Sequence, residues 1–353
     1  VSAAAQAYLN TRVSAMSTQL LAIDQIRTLV SWSLPELAER FRLQALLDEQ
    51  LSKRAKSRAV EQSLVHLLLA ELAVLVRPMT PPERGLLLAW GRKFALSNLK
   101  TLIRGKLYNL DPTEIRENLY DLPEHVRLSH QELFRAENVL ELLRTLEQGP
   151  HRLIARQARE VYERKREPFA LEAAIDQRYY AELVRQAMQF QGGNAQPLRQ
   201  VLGAILDRVN LLWLLRFRFS YRLSPSETFY QLVPSVKLLH RDRLLELANL
   251  ETFEQVLEAL PEPLHGLLAG STSLIDVQRR VGAHLSCEAH RILVSGRSGV
   301  ARALAYLILR ESNLSVLFSL VQGRLLELEQ ELIEIGIEIA EPNCPIGGLA
   351  EVA

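Results

Sequence analysis

One pattern constrains this chain more than any other: a leucine-rich stretch that returns twice. Leu99, Leu102, Ile103, Leu107 and Leu110 follow the i, i+3, i+4, i+8 spacing that lines one side of a helix. The same places are held again by Leu211, Leu214, Leu215 and Phe219, with Leu223 one residue late, and a third time by Leu317, Leu320, Val321, Leu325 and Leu328. A basic residue precedes the fourth apolar position each time, at Lys106, Arg218 and Arg324. A pattern that returns after roughly 110 residues predicts three similar helical units, each closing with this motif.

The chemistry of helix starts follows the same order. Asp111-Pro112-Thr113-Glu114 and Ser224-Pro225-Ser226-Glu227 each read as cap, proline, any residue, glutamate. The cap oxygen meets the third amide, and proline sits where a missing N–H costs nothing. In the third unit, Glu329-Gln330-Glu331-Leu332 keeps the apolar spacing and loses the box. Helices are expected over 3–29, 34–49, 57–76, a long one after Thr80-Pro81-Pro82-Glu83, then 130–147, 151–165, 168–190, 196–222, 240–248, 251–259, 273–292 and 299–326. Ser33-Leu34-Pro35-Glu36, Gly149-Pro150, Gly192-Gly193-Asn194, Pro261-Glu262-Pro263 and Gly296-Arg297-Ser298-Gly299 mark stops and starts. No run of alternating strands competes. The expectation is an all-α fold of three repeat domains, 1–128, 129–233 and 234–340, with a flexible tail over 341–353.

Composition narrows the function. Lys+Arg and Asp+Glu total 42 and 41. That balance argues against a nucleic-acid partner, which a basic excess would announce. Two cysteines, Cys287 and Cys344, make no disulfide framework, so a reducing compartment is expected. The apolar run Leu64–Val76 carries His66 and Glu71 and is too short to span a bilayer. Val1 onward shows no basic region followed by an apolar stretch, so no signal peptide is expected. The chain reads as soluble and cytoplasmic.

Candidate chemistry is sparse. His284, Cys287 and His290 form a metal-like cluster, but 284 and 290 lie roughly 120° apart on a helix, too splayed for one ion. Gly296-Arg297-Ser298-Gly299 lacks both the lysine and the preceding strand of a phosphate loop. Lys93, Lys100 and Arg104 share one helix face within roughly 40° and are the candidate partner-docking residues, since surface charge steers partners more than it stabilises folds. Arg216, Arg218 and Arg222 do not copy that stripe. Arg164-Lys165-Arg166 reads as a solvated run, and Tyr179 and Tyr180 as packing. No catalytic residue, cofactor site, metal site or small-molecule substrate is expected.

Five segments in order carry a family resemblance: Tyr8-Leu-Asn-Thr-Arg12-Val, Asn98-Leu-Lys-Thr-Leu-Ile-Arg104-Gly-Lys106, Phe169-Ala-Leu-Glu-Ala-Ala-Ile-Asp-Gln-Arg-Tyr179-Tyr180, Arg216-Phe-Arg-Phe-Ser-Tyr221-Arg-Leu-Ser-Pro225 and Ala305-Tyr306-Leu-Ile-Leu-Arg310-Glu311. From Tyr8 to Ile337 the chain resembles the C subunit (d in eukaryotes) of V-type and A-type rotary ATPases. The resemblance implies a non-catalytic, funnel-like protein of three helical domains with pseudo-threefold symmetry. It implies a peripheral place on the cytoplasmic face of the membrane, between the axle subunits D and F and the proteolipid ring, and a role in ATP-driven ion transport or ATP synthesis. The third unit departs from the other two: Asn98 and Asn210 match, but Val316 replaces them. Two other classes stay open, a helical scaffold for different partners and a helical metalloenzyme centred on His284, Cys287 and His290.

Overall fold

The computed structural model describes residues 3–128, 130–149, 151–165 and 167–340, and every regular element among them is helical. The N-terminal stretch runs through α1 (Ala3–Ser17), α2 (Ile23–Val30), α3 (Leu34–Phe41), a 3-10 turn (Gln44–Leu47) and α4 (Lys53–Val76). Next come α5 (Pro81–Gly91), α6 (Lys93–Leu107), α7 (Pro112–Glu117), α8 (His130–Arg135), α9 (Val139–Glu147), α10 (Arg152–Lys165) and α11 (Pro168–Ala187). The remainder is α12 (Ala195–Leu215) leading into a π turn (Arg216–Ser220), then α13 (Pro225–Gln231), α14 (Arg241–Ala248), α15 (Phe253–Glu258), α16 (Leu264–Leu268), α17 (Leu274–Ser295), α18 (Gly299–Leu325) and α19 (Gln330–Ala340). Ser129, at the expected first boundary, and the tail 341–353 lie outside the described residues.

Four expected helices are broken: the long one after Glu83 is interrupted at Arg92, which separates α5 from α6, and three others divide, each for a local reason. The helix over 3–29 stops at Ser17. The hydroxyls of Ser17 and Thr18 turn back onto the carbonyls of Ser14 and Ala15, and the Leu21 amide donates to Asn313 Oδ1 at 2.7 Å. The helix over 130–147 divides because Asn138 Oδ1 accepts the Glu141 amide at 3.0 Å and starts α9 afresh. The helix over 34–49 ends at Arg42, which adopts a left-handed φ of 56°.

The chain forms two compact units, one of residues 1–80 and 190–353, the other of 81–189. In the larger unit α18 is the spine, packed by α1, α3, α4, α12, α17 and α19. By length and composition, both α4 and α18 could cross a membrane. In the fold they are core helices that pack on each other through buried leucines and valines. Between them lies an ion pair. Glu71 accepts from Tyr306 Oη at 2.7 Å and from Arg310 at 3.1–3.2 Å, in a site where all three side chains are nearly excluded from water. A second core in this unit joins α12 to α14–α17 through Leu211, Leu214, Leu244, Leu247, Val256 and Val277.

The smaller unit packs α10 on α9 and α11, with α5 and α6 against α11. Tyr179 is buried there, and its hydroxyl donates to the Trp90 carbonyl at 2.8 Å.

Candidate functional site

The basic stripe is engaged within its own unit. Lys100 Nζ contacts both Asp176 oxygens at 2.8 and 3.0 Å, and Arg104 grips Glu172 through two bonds of 2.6 and 2.5 Å. Lys93 Nζ stands 3.9 Å from the centre of the Trp90 ring. Cations four residues apart on α6 meet carboxylates four residues apart on α11 in the reverse order, so the two helices are laced together by charge. Glu172 holds the Arg104 guanidinium above its ordinary range. Asp176 moves the other way for a carboxylate with a cationic partner: burial raises its pKa, outweighing the opposing pull of Lys100. The acidic half of this seam went unnoticed in the sequence, although the Glu172/Asp176 spacing mirrors Lys100/Arg104.

The repeated motif forms three helix ends of one design. Asn109, Arg222 and Glu327 adopt left-handed φ values of 51°, 57° and 57°. The amide that follows each one bonds back to the preceding turn: Leu110 to the Gly105 carbonyl at 3.0 Å, Leu223 to Phe217 at 2.9 Å, and Leu328 to Gly323 at 2.9 Å. Left-handed residue and back-bond together make a Schellman-type stop. The π turn at Arg216–Ser220 accommodates the extra residue that puts Leu223 one place late, because a π turn is a helix with one residue inserted.

Each stop is backed by packing. At Gly105 and Gly323 an added Cβ would lie 2.6 Å from Ile115 Cγ1 and 2.5 Å from Ile333 Cγ1, so glycine lets the closing helix lie close. Asn98 exchanges two bonds of 2.8 Å with the Tyr120 backbone, and Asn210 does the same with Val233 at 2.5 and 2.9 Å. Buried Val316 occupies that place in the third repeat. Each stop also leaves one large apolar side chain in solvent, Tyr108, Tyr221 and Leu326, all more than half exposed.

The repeated basic residue has one task in all three copies: it meets a carbonyl at the end of a short helix. Lys106 Nζ reaches the Phe134 carbonyl of α8 at 2.9 Å. Arg218 reaches Ala248 at the end of α14 at 2.9 Å, and also Leu223 and Leu250 at 2.8 and 3.1 Å. Arg324 bonds the Val30 carbonyl of α2. A cation is favoured there by the helix dipole and by the unpaired carbonyls of the last turn. In chain order, the first motif's cation reaches α8, the second's reaches α14 and the third's reaches α2.

The other candidates resolve into structure. Cys287 lies on α17, and Cys344 lies outside the described residues. His284 is held below its ordinary pKa by burial and by Lys237, and it sits beside Arg291, surroundings hostile to a cation. Among the described residues, no three His, Cys, Asp or Glu side chains group closely enough to hold a metal ion. Gly296–Gly299 is a turn whose Ser298 caps α18 through the Ala301 amide at 3.3 Å.

Fold and surfaces define an all-helical protein whose polar chemistry joins helices to one another. Sequence comparison makes the class specific. The profile of the ATP synthase (C/AC39) subunit family matches residues 9–335. The chain belongs to that family. It is 27% identical over 215 residues to the C subunit of the A-type ATP synthase of Methanocaldococcus jannaschii, covering 60% of this chain and 53% of that one. It is 25% identical over 224 residues to the C subunit of the A-type ATP synthase of Methanosarcina mazei, covering 63% of this chain and 61% of the relative. The matched segments thus span between half and two thirds of these relatives.

Proposed function

We propose that the chain is the non-catalytic central-stalk subunit of a V-type/A-type ATPase, a socket that couples the rotating axle of D and F subunits to the membrane proteolipid ring. The observation that supports this reading, within the family, is that Lys106, Arg218 and Arg324, at equivalent places of the returning motif, each bind a carbonyl at the end of a short helix. The pseudo-threefold, funnel-like arrangement of three repeat domains belongs to the same proposal. Torque transfer asks for stiffness and broad interfaces, and the paired charges and capped helix ends supply the stiffness. The subunit would sit peripherally on the cytoplasmic face of the membrane and contribute to ATP-driven ion transport or ATP synthesis.

The deciding experiment is affinity purification of the tagged chain from gently solubilised membranes, with bound chains identified by mass. Recovery of axle and proteolipid subunits together supports the socket. Recovery of neither, from cells that contain such an ATPase, overturns it. Docking through Lys93, Lys100 and Arg104 is part of the proposal in a narrower form. Reversing Lys100 or Arg104 also breaks an ion pair inside the unit, so reversal of all three residues to Glu is read together with helicity. Reduced capture of partners at low salt with helicity intact supports the stripe, and unchanged capture removes it.

A further inference from the structure

The smaller unit contains a cavity of about 130 Å³ lined by Ala89, Arg92 and Leu96, by His151, Leu153 and Ile154, and by Arg178, Tyr179, Glu182 and Arg185 of α11. Three arginines and a histidine face one carboxylate. That carboxylate is already taken: Glu182 accepts Arg185 at 2.8 and 2.5 Å and Gln186 Nε2 at 2.9 Å. The side chains of Arg92, Arg178 and His151 have no hydrogen-bond partner among the described residues, although all three residues are half-buried. Three guanidinium groups, those of Arg92, Arg178 and Arg185, share this space with the single carboxylate of Glu182, which also feels Arg178, and such an excess of positive charge is unfavourable without an anion.

We propose that this cavity is a binding site for a small tetrahedral oxyanion of the phosphate type, held by Arg92 and Arg178. Guanidinium groups present parallel N–H donors that match the edges of such an anion. The volume selects the size of the ligand: drug-sized and nucleotide-sized molecules occupy pockets of about 300–1,000 Å³, so this space suits one oxyanion group. His151 supplies a sensor beside the site. Burial and the neighbouring Arg92 hold its pKa down to about 4, and a bound anion that screens Arg92 raises it. The charged groups facing His151 are Arg92 from the α5–α6 turn and Arg178, Glu182 and Arg185 from α11. The proposal is independent of the socket reading.

The test is titration of the full chain with inorganic phosphate at constant ionic strength, followed by calorimetry and by NMR of the His151 imidazole. Saturable binding of one phosphate per chain is expected, with sulfate competing and the His151 pKa moving upward on binding. Arg92→Gln and Arg178→Gln each weaken binding by about tenfold or more, as loss of hydrogen bonds to a charged group implies. Arg164→Gln, an exposed arginine outside the cavity, leaves binding unchanged. Melting in phosphate-free buffer supplies a second reading: the two cavity variants match or exceed the wild type, because each relieves repulsion. Absence of saturable binding, an equal loss in Arg164→Gln, or melting of both cavity variants well below the wild type overturns the site.

Discussion

The first and second closing segments perform the same task with different hardware. In the first, α6 ends without interruption and Lys106 offers one bond to Phe134. In the second, one extra residue is taken up by a π turn, and Arg218 meets three carbonyls at 2.8–3.1 Å. Both keep the asparagine clamp and both stop with a left-handed residue. The difference teaches that the repeat keeps a task, closing one helix and capping another, while the bonds that perform it vary. A planar five-donor guanidinium can serve several acceptors where an ammonium here serves one.

If that is right, the largest effect comes from Arg218→Met, which strands the Ala248, Leu223 and Leu250 carbonyls. A loss of about 3 kcal/mol is expected, the upper range for bonds to a charged group, read as a lower urea midpoint. A loss no larger than that of Lys106→Met would erase the distinction between the two segments. Next come Asn98→Ala and Asn210→Ala, each leaving a backbone N–H and C=O without partners at a cost of about 1–3 kcal/mol. Equal losses sharpen the view that the clamp is the shared part. Lys106→Met is expected to cost about 1 kcal/mol, a typical single bond, and Lys106→Arg should preserve most of the wild-type midpoint.

The smallest effect is a pH dependence in the α6–α11 seam. Asp176 has a raised folded pKa, so its carboxylate form is the disfavoured one in the folded state. Its contribution to stability is greatest below the ordinary carboxylate range and is lost as pH rises through the folded pKa. Asp176→Asn should therefore gain on the wild type in melting temperature from about pH 4 upward. A gap that narrows over that range would show that pairing with Lys100 outweighs burial. The half-exposed Arg104–Glu172 pair next to it is worth about 0–1 kcal/mol, and Arg104→Ala should matter less as salt is added.

Much of the architecture was legible in residue order. Ser224 forms the full box with Glu227, as the spacing implies, whereas Asp111 caps its helix one residue earlier, through the Thr113 amide; both are legible because capping is a contact between residues two or three apart. The helices over 151–165, 273–292 and 299–326 lie close to where their apolar periodicity puts them. The breaks at 18–22 and 42 were harder to see. The first depends on Asn313, nearly three hundred residues away, and the second on a left-handed arginine that no composition rule favours. The basic stripe shows the same limit. Its position on one face of α6 follows from helical periodicity, whereas its engagement by Glu172 and Asp176 required knowing which helix lies opposite.

The sequence by itself determined the all-helical class, the three returns of the closing motif, the cap chemistry and the family, because these are properties of spacing along one chain. Only the tertiary structure decided what the repeated cation does. Lys106, Arg218 and Arg324 are recognisable as equivalents from their place before an apolar residue. That Lys106 meets the end of α8, Arg218 that of α14 and Arg324 that of α2 depends on which elements pack together. The cavity of Arg92, His151 and Arg178 has the same origin. These residues come from separate parts of the smaller unit, and helix packing alone brings their charges to one space.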